Sequence, residues 1–98
     1  MARKLVERRL IEVSGRLKTL REELRVVDEQ LEHFAQEADD ARIRALVSET
    51  PVAEREHREA RKHFEAMQRH RGDLASEIAK LERTQDELLD RLAAEAGQ

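Results

Sequence analysis

The stretch Ile43–Arg55, IRALVSETPVAER, holds the only proline of the chain, near the midpoint of its 98 residues. Apart from Pro51 the sequence has few breakers, so the position of this one decides the architecture. Thr50 is a candidate N-cap, Pro51 suits the first helical position, and Glu54 falls in the first turn, where a carboxylate complements the helix dipole. Ser48 is a second cap candidate. The reading is a helix that stops and a second that starts. The arms cover about 4–47 and about 51–94, the turn about 48–50, and a frayed tail 95–98.

Both arms carry a coiled-coil pattern. In the first, Val6, Leu10, Val13, Leu17, Leu20, Leu24, Val27, Leu31, Phe34, Ala38, Ala41 and Ala45 follow 4-3 spacing without interruption. In the second, Ala53, His57, Ala60, Phe64, Met67, Arg71, Leu74, Ile78, Leu81, Gln85, Leu88 and Leu92 do the same, and nine of the twelve are apolar. Such a seam is the signature of helices packed side by side, written as positions a and d of a heptad. Folding the chain at its centre pairs every a residue with a d residue whose index completes a total of 98: Leu10 with Leu88, Leu17 with Leu81, Phe34 with Phe64, Ala45 with Ala53. A short connection implies antiparallel neighbours. The predicted fold is all-α, an antiparallel two-helix coiled-coil hairpin, with dimerisation into a four-helix bundle as a further expectation.

Charge supports the same register. Residues 1–25 carry 8 Lys/Arg and 4 Glu, and residues 72–98 opposite them carry 3 basic and 7 acidic groups. Residues 27–40 have 6 acids and no Lys or Arg, and residues 58–71 opposite have 5 bases and 2 acids. Complementary blocks face one another along the hairpin. Glu23 and Glu77 are the expected exception, as like-charged flanking neighbours. Gly15 and Gly72 lie inside the arms and off the seam, each costing about 1 kcal/mol relative to alanine.

The composition, 42% charged and 2% aromatic with a net charge of −3, argues against a conventional globular core. It fits long helices rich in Ala, Glu, Leu, Lys and Arg. Near-balanced charge gives no general attraction to nucleic acid or an acidic membrane. The chain lacks cysteine, which removes disulfides and thiolate metal sites and suits a reducing cytoplasm. Its first residues contain no apolar run long enough for a signal peptide or a membrane span. Arginines number 15 against 4 lysines, a bias in keeping with a GC-rich bacterial genome.

No catalytic constellation is visible. His63 and His70 are seven residues apart, about 10 Å along a helix, too far to share one ion. His33, His57, His63 and His70 read as solvated or seam-flanking. There is no phosphate cradle and no nucleophile motif. The expectation is a non-enzymatic protein with no cofactor, no metal and no small-molecule substrate. It would work by self-association or by contact with a protein partner.

Three polar residues interrupt the second seam: His57, Arg71 and Gln85. Such residues fix register at a cost in stability. Arg71 can lay its stem over Val27 and reach Glu23 or Asp28. Alternatively it contacts a partner carboxylate. Beyond Phe34 and Phe64 the seam shrinks to Ala38, Ala41, Ala45, Ala53 and Ala60, while Ile43, Leu46, Val47 and Val52 cluster off it around the turn. Clustered exposed apolar residues suggest a docking surface. Leu5, Ile11, Leu89 and Ala93 form a second off-seam set at the other end. The candidate partner-binding residues are Ile43, Leu46, Val47, Glu49, Val52 and Arg71.

The stretch SETPVAER, Ser48–Arg55, resembles the hairpin tip of transcript-cleavage factors of the Gre type. In that family an acidic Asp-x-Ser-Glu-Asn-Ala-Glu-Tyr tip enters the secondary channel of RNA polymerase and holds a metal. Ser48, Glu49, Ala53 and Glu54 correspond when two residues are counted as inserted. Leu46 stands at the family's Asp position and no Tyr follows, so the metal-binding chemistry does not carry over. The serine-centred cyclic di-GMP motif of coiled-coil anti-sigma factors is missing, since Leu10, Arg44 and Gly72 precede the three serines by four residues. The alternative function is a transcription regulator contacting RNA polymerase or a sigma factor. Nucleic-acid binding through the basic 55–71 face is disfavoured by its interleaved glutamates and lack of aromatic platforms.

Overall fold

The computed structural model describes residues 2–97 and contains two α-helices, α1 (Ala2–Ser48) and α2 (Pro51–Ala96). They form an all-α helical hairpin. Only Glu49 and Thr50 join them, so the turn is tighter than the expected 48–50 and Ser48 is the last residue of α1 rather than a cap of α2. Glu49 adopts a left-handed backbone with φ of 54°. Its N–H donates to the Ala45 carbonyl at 3.0 Å, the bond of a left-handed helix C-cap. A non-glycine residue in this conformation bears a strain of about 1–2 kcal/mol.

Thr50 then opens α2 as the sequence predicts. Its Oγ1 accepts a hydrogen bond from the Ala53 N–H at 3.1 Å, and its carbonyl accepts from the Glu54 N–H at 3.0 Å. Pro51 occupies the first helical position, where its missing N–H costs nothing. At the other end α2 runs to Ala96. The Gly97 N–H bonds to the Ala93 carbonyl at 3.1 Å, and Gln98 lies outside the described residues. Both helices pass through their internal glycines unbroken, and a Cβ at Gly15 or Gly72 would meet no heavy atom within 4 Å.

The chain divides into two compact units. One joins the segment of α1 up to Glu23 to the segment of α2 from Leu74. Val6, Val13, Leu17 and Leu20 of α1 and Leu74, Ile78 and Leu88 of α2 are buried there. Leu17 and Leu20 are fully enclosed at 0% exposure. Arg16 Nη2 meets Glu77 Oε1 at 3.2 Å and Arg21 Nη2 meets Glu82 Oε2 at 3.2 Å. These are g-to-g and e-to-e contacts, with indices totalling 93 and 103. Their mean is 98, the register read from the sequence. Glu77, one of the two expected like-charged neighbours, is held by Arg16. Gln85 Nε2 donates to Ser14 Oγ at 3.1 Å, which satisfies one polar seam residue.

The other unit, Leu24–Asp73, contains the turn. Val27, Ala41, Ala45 and Ala53 are buried, and Leu24, Leu31, Phe34, Ala38, His57, Ala60, Phe64, Met67 and Arg71 are half-buried. Phe34 makes ring contacts with His33 at 5.8 Å and with the edge of His63 at 6.3 Å. No seam position in either unit is exposed. The difference is one of volume: a fully buried leucine contributes about 1.5–3 kcal/mol, and an alanine far less.

Candidate functional site

The off-seam residues around the turn stand in water. Ile43, Leu46 and Val47 follow i, i+3, i+4 spacing on α1, which puts them on the side of the helix away from the seam. Leu46 is 65% exposed and Val47 80%. Val52, the second residue of α2, is 54% exposed. Glu49, left-handed and exposed, separates the two sets. Five of the six predicted contact residues therefore collect at the turn.

The sixth does not join them. Arg71 lies about 28 Å further along α2 at the rise of an α-helix. Its guanidinium is engaged by the carboxylate of Asp28, with Nε bonded to Oδ1 and Nη2 at 3.5 Å from Oδ2. The hydrogen bond and the charge of Asp28 push the already high Arg71 pKa further up, against a small desolvation effect. Arg71 therefore stays charged through the neutral range, and its side of the interaction is lost only as pH rises past the arginine range. Asp28 adjoins Val27, the seam partner of Arg71, so the pair lies at the register read from the sequence.

The alanine seam leaves a depression of about 300 Å³ lined by Glu37, Asp40, Ala41, Arg44, Glu56 and Ala60. Sequence reasoning noted the small residues without placing carboxylates around the gap they leave. Its signal is in the heptads: Glu37 and Glu56 are g residues flanking the Ala41 and Ala60 layers. Val26 is a second omission, an off-seam apolar residue at 39% exposure. Leu5, Ile11 and Leu89 are exposed as expected, as is Ala93.

His33 Nε2 lies 3.3 Å from Glu37 Oε1, and His63 and His70 are exposed. Among the described residues, no three His, Cys, Asp or Glu side chains are grouped to hold a metal ion. No helix among them is long and apolar enough to cross a membrane. No protein-family model, curated protein or solved structure matches the chain.

Proposed function

We propose that this hairpin is a non-enzymatic cytoplasmic interaction module that binds protein through its turn, either a larger assembly or further copies of itself. The exposed cluster of Ile43, Leu46, Val47 and Val52 carries this reading. Side chains with that spacing supply the anchors when a helix docks in an apolar groove. The supporting physics is the contrast with their surroundings, where outward positions elsewhere in the same unit are predominantly polar or charged. Glu49 lies within the cluster and sets the charge at its centre.

The test is a paired substitution, Leu46→Asp with Val47→Asp. Neither side chain belongs to the seam, so circular dichroism should report unchanged helix content. Capture of a partner, or association of the pure protein, should fall to background. Unchanged capture and unchanged association together would reject the turn as the contact surface.

A further inference from the structure

Charges left on the outside of the turn-containing unit are sorted by helix. The outward positions of α1 between 27 and 40 carry Glu29, Glu32, Asp39 and Asp40, and no Lys or Arg. Those of α2 between 55 and 69 carry Arg55, Arg58, Lys62 and Arg69 against Glu59 and Glu65. All ten are exposed. Glu29 is held by Arg25 at 2.6 Å, Asp39 by Arg42 at 2.9 Å and Glu65 by Arg61 at 3.6 Å, each within its own helix. Arg55, Arg58, Lys62 and Arg69 have no ion-pair partner among the described residues. One helix thus turns an acidic back to solvent and the other a basic back.

We propose that the hairpin associates side by side with a second copy of itself, the acidic back of α1 in one molecule against the basic back of α2 in the next. This deepens the self-association branch of the preceding proposal. The fit follows from the hairpin's own register. The outward f residues Glu29 and Arg69, Gln36 and Lys62, and Ile43 and Arg55 each total 98, so they lie at equal heights along the two helices. Two hairpins lying parallel bring Glu29 of one to Arg69 of the other. On the flanks Asp39 faces Arg58, and Val47 faces Val52 at the turn, so the apolar cluster extends the charged contact. Glu59 falls at the height of Asp40 and Glu65 at that of Glu32, two like-charged contacts that weaken the fit. Because one face meets a different face, the contact does not close on itself and growth continues past the dimer.

Exposed ion pairs are screened by salt beyond a Debye length of about 10 Å at 0.1 M. Sedimentation velocity on the full chain, in about 25 mM and about 500 mM salt, therefore reads the interface directly. At low salt the average mass should climb past the dimer with concentration, and at high salt it should drop toward the monomer. Arg58→Glu with Arg69→Glu makes both backs acidic. Glu29→Lys with Asp39→Lys neutralises the back of α1 and sets like charges opposite Arg69 and Arg58. Each double variant alone should associate at least about tenfold more weakly, and mixing the two should restore assembly. Glu59→Lys removes one of the two repulsive contacts and should tighten association several-fold. Wild-type protein that stays monomeric at low salt, association insensitive to salt, or variants that fail to rescue one another would each overturn the charged interface. If instead only Leu46→Asp with Val47→Asp abolishes assembly, the charged backs are refuted and the turn reading survives.

Discussion

From Val6 to Leu20 the seam of α1 is valine and leucine; from Ala38 to Ala45 it is alanine. The two stretches share one helix, one heptad phase and one kind of partner. They differ in what lies inside and outside. In the unit of the chain ends, large side chains are enclosed between the helices, with Leu17 and Leu20 sealed from water. In the part of the other unit nearest the turn, alanines fill the seam, and Ile43, Leu46, Val47 and Val52 stand outside it. The leucine seam encloses its large side chains, and the alanine seam has large side chains only on its outer side.

The sharpest way to break this contrast is to shorten a sealed leucine. Leu17→Ala should cost about 2–5 kcal/mol, measured by urea titration of the helical signal. That is a large share of the stability of so small a core. A cost below about 1 kcal/mol would mean that the leucine seam does not hold the hairpin. Next in size is the turn. Thr50→Ala removes the hydroxyl that receives the Ala53 N–H and should cost about 1 kcal/mol in the same titration.

Filling the alanine seam tests the contrast from the other side. Ala60 is half-buried beside the depression of about 300 Å³. Ala60→Leu has room for its added carbons and should raise stability by about 1 kcal/mol. A fall in stability would show a seam already full. Gly15→Ala and Gly72→Ala, one in each unit, should each add up to about 1 kcal/mol, since the new methyl meets open space. The smallest thermodynamic effect belongs to Arg71→Leu. It should raise the melting temperature slightly, because an apolar residue replaces a polar seam residue, while loosening register. Spin labels at Leu17 and Leu81 would read that loosening as a broadened distance distribution.

Most of the architecture was legible because the heptad is a strong and redundant signal. Each seam residue reports the same phase, so a polar residue at 57, 71 or 85 does not obscure it. The cap at Thr50 was legible for a local reason: a threonine before a proline has few other uses at a helix start. Other features depend on geometry that one dimension does not encode. Both Glu23 and Asp28 were in reach of Arg71, and only the packed helices select Asp28. The left-handed Glu49 was hidden because this position usually takes glycine or asparagine. His63 rather than Phe64 meets the ring of Phe34 because the g position there leans over the seam. The exposed set at 43, 46, 47 and 52 was legible as leftover hydrophobicity. Its occupant was not, since one chain encodes its own surface and not the surface that covers it.

A link of only Glu49 and Thr50 leaves no slack. One extra residue at the start of α2 would rotate every later side chain by about 100°, swinging the leucines of α2 out of the seam. The hairpin can therefore lengthen or shorten only by matched insertions or deletions of seven residues in both arms, and a frame-preserving indel confined to one arm would act like a core mutation.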